Sequence, residues 1–330
     1  MSVLLLPLKL FLMALDFVLM AVTFGWVPAL KKLFSSEPVR SVPAKDAGDD
    51  QTHRVHPDYK DELATKPRGS NYQTLYDITK DALVKYADRN CMGTREFLGQ
   101  KSAKVKHFGG IEWKTFAQMG KEAHGFGAAL RAHGVEPAPS TSTREETLAK
   151  ITTSCSIAIF ENTCADWMIA AQGAFSQSVV VVTVYATLGM DAVVDAVNEG
   201  SISAMVCNKI NVGKLKSRVK DMKTLKTIIY TSDLVAPGAE IDLGPDTKDV
   251  KVISFEDFVK SGDTAKFPPT PPNKESRAVI MYTSGSTGKP KGVVIKHSAL
   301  VAAAASAEVM LGVRDGDVYL GYLPLAHILE

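Results

Sequence analysis

Cysteine is scarce in these 330 residues, and the few present do not cluster. Cys91, Cys155, Cys164 and Cys207 form no CxxC pair, and no histidine stands at zinc-ligand spacing from them. A disulfide framework or a zinc knuckle needs closer pairing, which leaves ordinary thiols in a reducing compartment. A surplus of charge is missing too: 38 Lys and Arg stand against 36 Asp and Glu, a formal +2. Dedicated nucleic-acid binders carry a concentrated basic excess, so no nucleic-acid partner is expected. No internal repeat of about 20–50 residues is evident. Gly125-Phe126-Gly127 lacks the third glycine of a dinucleotide fingerprint and reads as chance. What remains is ordinary: 45% hydrophobic and 22% charged residues, with 24 Gly and 16 Pro, which excludes collagen and a mostly disordered chain. The length allows two domains or one large one.

One long apolar run is present. Leu10–Leu30 is interrupted only by Asp16 and Thr23, and 21 residues reach roughly 31 Å as a helix, about the hydrocarbon thickness of a bilayer. A cleaved signal peptide would be shorter and end in small residues, whereas this run ends in Trp26, Pro28, Lys31 and Lys32. Residues 1–32 are therefore expected to be a membrane anchor, with a helix over about 10–30; Asp16 leaves a tilted or interfacial helix as the alternative. Lys9 stands on one flank, and Lys31, Lys32 and Arg40 on the other, which places everything after the run in the cytosol. Residues 33–70, with Pro38, Pro43, Pro57, Pro67 and Asp46–Asp50, read as a tether.

From Ser154 onward, short apolar runs alternate with helical periodicity. Ile157–Phe160, Val179–Tyr185, Ile202–Cys207, Thr227–Thr231 and Val252–Phe255 read as strands. Cys164, Trp167, Met168, Ala171 and Phe175 line one face of a helix, Met190–Asn198 forms another, and Phe255–Lys260 reads as a further helical stretch. Trp167 and Met168 read as core. This alternation predicts an α/β fold with a doubly wound, mostly parallel sheet. Glu136–Lys150 reads as a polar surface loop, and Phe267–Pro272 as a stiff spacer.

The chemistry follows the spacer. Strand Ala278–Tyr282 leads into Thr283-Ser284-Gly285-Ser286-Thr287-Gly288-Lys289-Pro290-Lys291-Gly292, then strand Val293–Ile295. Glycines let the backbone turn tightly and expose its N–H groups, hydroxyls add short donors, and Lys289 and Lys291 add charge. Such a loop can wrap a polyphosphate. It is not the Walker loop, because Lys289 precedes Pro290 and a strand where that pattern opens a helix. The bland alternative is a Ser/Gly hairpin with solvated lysines.

The whole ten-residue order resembles the phosphate-binding motif of the adenylate-forming (AMP-binding) superfamily of acyl- and aryl-CoA synthetases, luciferases and peptide-synthetase adenylation domains. Gly93–Glu96, Glu112–Phe116, Ile157–Thr163, Ala165–Ala171, Thr183–Gly189 and Gly321–His327 resemble its long-chain fatty acyl-CoA synthetase branch. The resemblance covers about residues 71–330 and implies the amino-terminal part of that fold. It implies a ligase that joins a fatty acid to CoA through an acyl-adenylate, using ATP, Mg²⁺ and CoA beside a lipid bilayer. Carried over by residue, Thr283, Ser284, Gly285, Ser286, Thr287, Gly288, Lys289 and Lys291 would hold the β- and γ-phosphates, with the Thr283 hydroxyl on magnesium. His327 would stand beside the carboxylate and α-phosphate, its bland alternative being a helix-start histidine satisfied by the backbone. An anchor facing the cytosol favours the endoplasmic reticulum, with peroxisome, lipid droplet and outer mitochondrial membrane open.

The pattern breaks in one place. The family's second acidic magnesium motif, ribose aspartate, hinge and carboxy-terminal lysine have no counterpart in the 330 residues. Incomplete sheet edges and negligible turnover of these residues alone are expected. A non-catalytic nucleotide- or lipid-binding remnant, or a membrane-bound interaction protein, is the alternative to the ligase; an adenylating enzyme for another acid is a third reading, which the resemblance around Trp167 and the anchor disfavour.

Overall fold

The structure is a computed structural model that describes residues 41–45, 48, 52–102, 105–185, 188–240, 243, 249–283, 291–311, 313 and 315–327. Two units divide the chain, Met1–Ala64 and Thr65–Glu330. The apolar run Leu10–Leu30 lies outside the described residues, among which no helix is long and apolar enough to cross a membrane. In the first unit, β1 (Val42–Pro43) pairs antiparallel with β2 (Arg54–Val55), and Lys45 meets Asp61 at 2.5 Å. The segment read as a tether thus contains a short strand pair.

The second unit opens with α1 (Leu75–Lys85), a two-stranded ribbon of β3 (Asn90–Ser102) and β4 (Val105–Thr115), and α2 (Phe116–Ala132). Threonine caps start both helices: Thr74 with Asp77, and Thr115 with Gln118, each exchange reciprocal hydrogen bonds that satisfy orphan amides of the first turn. The same device corrects the reading of Glu136–Lys150 as a loop. Thr143 and Glu146 make a third capping box, and Arg144–Leu148 is helix α3.

The main sheet contains β5 (Ser156–Phe160), β6 (Val180–Thr183), β7 (Ala204–Asn208), β8 (Thr227–Thr231), β9 (Lys251–Ser254), β10 (Arg277–Thr283) and β11 (Lys291–Lys296). Their order is β11-β10-β6-β5-β7-β8-β9, parallel throughout except for the antiparallel β10–β11 pair. The helices α4 (Ala165–Ser176), α5 (Met190–Glu199), α6 (Val212–Ser217), α7 (Phe255–Lys260) and α8 (His297–Leu311) intervene or follow. Residues alternate across the strands as a two-sided sheet requires. Ile157, Ile159, Val181, Val206 and Ile229 join α2, α4 and α7 in one core. Ala158, Phe160, Val182, Met205 and Ile228 join α5 and α6 in the other. This is the expected doubly wound arrangement. Phe255, read both as the end of a strand and as the start of a helical stretch, begins the helix, because the Ser254 hydroxyl accepts from the Asp257 amide and starts α7 there.

Close helix packing accounts for the Gly-Phe-Gly run that matched no binding motif. A Cβ at Gly127 in α2 would stand 2.6 Å from the Gly173 carbonyl oxygen of α4, and one at Gly125 would stand 3.0 Å from that of Val259 in α7. The glycines let three helices touch backbone to backbone while Phe126 between them is fully buried. The proline spacer is pinned rather than loose. The Gln177 amide donates to the Phe267 and Pro268 carbonyls, and the Ser178 hydroxyl to that of Thr270 at 2.6 Å. At the β11 side Val293 is exposed, as are Val318, Tyr319, Leu320 and Tyr322 further along the chain.

Candidate functional site

In an open parallel sheet, ligands bind beyond the carboxyl ends of the strands, where connections diverge. Here β5 connects to β6 on one side, and β7 to β8 on the other, so the divergence lies at the carboxyl ends of β5 and β7. The motif strand opens onto that same edge. Val279, Ile280 and Met281 of β10 run parallel to Val181, Val182 and Thr183 of β6. The strand pair then closes register by register, Tyr282 facing Gly292 and Thr283 facing Lys291. The backbones of Thr283 and Lys291 are therefore held side by side, and the motif spans the gap between them. Ser284, Gly285, Ser286, Thr287, Gly288 and Lys289 lie outside the described residues. Lys291 is exposed at the first position of β11. An open groove of about 380 Å³ runs along this strand pair, lined in part by Glu199, Arg277, Tyr282 and Gly292. The Tyr282 hydroxyl donates to the Glu199 carboxylate at 2.8 Å, and burial together with that carboxylate pushes the phenol well above its usual range.

His327 belongs to the same edge. It ends a short 3-10 turn, Leu325–His327, in which Leu325 and Ala326 are buried and the histidine is exposed. Its ring meets Tyr185, just past β6, edge-on at 6.1 Å. The turn is tied to the loop after β5: the Thr163 hydroxyl donates to the Leu323 carbonyl at 2.6 Å and accepts from the Leu325 amide at 3.0 Å. One end of the sheet thus brings together the motif's two anchoring residues, Tyr185 and His327.

A family model for "AMP-binding enzyme" matches residues 94–330. The chain belongs to the AMP-binding enzyme family. Among curated relatives, it is 34% identical over 269 residues to long chain acyl-CoA synthetase 8 of Arabidopsis thaliana, covering 78% of this chain and 35% of that protein. Fatty acyl-CoA synthetase A of Dictyostelium discoideum is 33% identical over 269 residues, covering 81% and 36%. The chain spans about a third of the length of these relatives. The fold is that of the adenylation domain of a carboxylic acid reductase from Segniliparus rugosus, with a TM-score of 0.58 at 13% identity over 80% of this chain and 44% of that one. A fatty acid AMP ligase from Legionella pneumophila superposes with a TM-score of 0.52 at 16% identity over 78% and 36%.

Sequence reasoning gave no role to a strongly perturbed carboxylate at this end of the AMP-binding fold. Glu161, the residue after β5, is 2% exposed. Its carboxylate accepts from the Asn162 amide at 2.7 Å, from the Thr231 hydroxyl and, at 3.5 Å, from the Asn208 side chain. Burial pushes its pKa up to about 7 against the pull of those donors, and Asp233 adds to the rise. It ties the ends of β5, β7 and β8 together at the divergence of the sheet. Glu161 stood within the Ile157–Thr163 stretch of the family resemblance without a role of its own, and the signal at the residue itself is a charge directly after the apolar run Ile157–Phe160. Asp166, in the first turn of α4, is pushed up to about 6 by burial and by Glu256, with Lys114 opposing. Cys91 rises to about 11 by burial, and no cysteine is paired. Among the described residues no group of three or more His, Cys, Asp or Glu could hold a metal ion.

Proposed function

We propose that these residues supply the nucleotide-gripping part of a long-chain fatty acid–CoA ligase, an activity carried by polypeptides of the relatives' length. The supporting observation is the strand pair of β10 and β11, which seats the ends of the Thr283–Lys291 motif at the same sheet edge as Tyr185 and His327. In this reading backbone amides, hydroxyls and Lys289 and Lys291 neutralise the β- and γ-phosphates of ATP. A fatty carboxylate oxygen attacks the α-phosphorus, forming the acyl-adenylate and expelling pyrophosphate. The CoA sulfur then attacks the acyl carbonyl, forming the thioester and expelling AMP. His327 would orient an oxyanion of the carboxylate or α-phosphate.

The described residues contain no metal-binding cluster of their own, so Mg²⁺ would arrive on the phosphates, with the Thr283 hydroxyl as the one donor the motif assigns to it. The apolar run Leu10–Leu30 would hold the protein on a membrane with the α/β part in the cytosol, at the endoplasmic reticulum in this proposal. Two of the relatives carry "peroxisomal" in their names, which makes the peroxisomal membrane the second place to look.

The test is palmitate-dependent exchange of pyrophosphate into ATP, with the protein carrying all the sequence its gene encodes. Exchange that falls at least about ten-fold in Thr283→Ala and in Lys291→Ala is expected, the size of one lost charge-assisted contact. Unchanged kinetics in both variants would remove the assignment of the motif.

A further inference from the structure

We infer that Thr163 is a positioning residue for His327, and this rests on the reading of His327 as the imidazole beside the reacting carboxylate. The two residues are far apart in sequence, and the contact runs through backbone. The Thr163 hydroxyl donates to the Leu323 carbonyl at 2.6 Å and accepts from the Leu325 amide at 3.0 Å. It therefore bridges both sides of Pro324, which has no N–H of its own. The turn so closed is the one that carries the histidine, since the His327 amide donates to the Pro324 carbonyl at 2.9 Å.

Leu320, Tyr322 and Leu323 are exposed, so apolar packing does not fix the approach to Pro324. The loop that presents Thr163 is itself fixed, because the buried Glu161 carboxylate accepts from the Asn162 amide at 2.7 Å and from the Thr231 hydroxyl. A rigid sheet end thus extends through Asn162 and Thr163 to the histidine turn, and Tyr185 limits the imidazole edge-on. The role needs one atom that both donates and accepts. Serine can supply it, and valine, of nearly the same shape, cannot.

The experiment measures palmitate-dependent ATP–pyrophosphate exchange in the protein bearing its full encoded sequence. It compares wild type, Thr163→Val, Thr163→Ser, His327→Ala and the Thr163→Val/His327→Ala double variant. Misplacement by about 1 Å can cost on the order of 100-fold, so Thr163→Val should lower kcat by roughly 10- to 100-fold. The KM for ATP should stay within about two-fold, since the phosphate grip is separate from this turn. Thr163→Ser should recover most of the rate, and the double variant should be no slower than His327→Ala alone. Backbone hydrogen exchange across residues 320–327 should quicken in Thr163→Val and not in Thr163→Ser. If His327→Ala is without effect, the reading of His327 fails and takes this role with it. If His327→Ala is slow but Thr163→Val is not, or the two losses multiply, the positioning role alone fails. Unchanged hydrogen exchange in Thr163→Val overturns it as well, in a sample with or without catalytic activity.

Discussion

Replacing Glu161 with glutamine changes the charge at the centre of the sheet edge while keeping its shape. The carboxylate is 2% exposed, and burial moves its pKa from 4.5 to about 7 despite its hydrogen bonds. Below about pH 4.5 the group is protonated in both the folded and the unfolded chain, and its contribution to stability is complete. As pH rises, the unfolded chain ionises first, so stability is lost progressively until the folded carboxyl also ionises near 7. At about 1.4 kcal/mol per pH unit, the whole loss is on the order of 3 kcal/mol. The glutamine variant has no such loss. Its oxygen can still accept from the Asn162 amide and Thr231 hydroxyl, and its NH₂ faces a neighbourhood that contains Asp233. Urea unfolding of both proteins at pH 5, 6, 7 and 8 gives the difference directly, with the other titrating groups cancelling. The two should agree within about 1 kcal/mol at pH 5, and Glu161→Gln should be the more stable by about 2–3 kcal/mol at pH 8. Parallel pH curves would refute the reasoning, as would a variant that becomes relatively weaker on the alkaline side.

Two further outcomes follow from the packing, and a third from the proposed anchor. His297 is fully buried against Phe175, accepts from the Leu75 amide at 3.4 Å, and is pushed down to about 4 by burial. A histidine held neutral makes stability fall as pH drops from about 6.5 toward 4, by up to about 3 kcal/mol, and His297→Leu should flatten that slope in acid unfolding curves. Gly127→Ala would place a methyl 2.6 Å from a backbone carbonyl, so thermal unfolding should show a loss of roughly 1–3 kcal/mol, while an unchanged Tm would contradict the contact. If the proposed anchor over Leu10–Leu30 holds the protein on membranes, removing residues 1–32 should release it in a carbonate wash; equal sedimentation of the full and shortened proteins would contradict the anchor.

Much of the architecture was legible because buried parallel strands advertise themselves as apolar runs. The bounds Thr227–Thr231 were read to the residue, and β5 to within one, since every residue of β5 is buried. Boundaries were left open or missed where a single hydroxyl decides them: Thr143 turned a polar stretch into α3, and Ser254 settled Phe255, read as both strand end and helix start, as the first residue of α7. The signal at Thr143 was present as a threonine cap, but the polar composition around it outweighed it. The motif and His327 were found through a family resemblance, and the structure seats the motif's ends and His327 at one edge of the sheet. Glu161 and Thr163 were read only as part of the Ile157–Thr163 resemblance and given no role, because their meaning lies in partners far along the chain, Thr231 for the first and Leu323 and Leu325 for the second. A single sequence records no such pairing.

The central claim is that the motif from Thr283 to Lys291 grips the phosphates of ATP. Calorimetric titration with Mg-ATP tests it most directly, using the protein with its full encoded sequence beside its Lys291→Ala variant. Saturable heat in the first, and affinity at least about ten-fold weaker in the second, is the predicted result. Equal affinity in the two, or no heat in either, would contradict it.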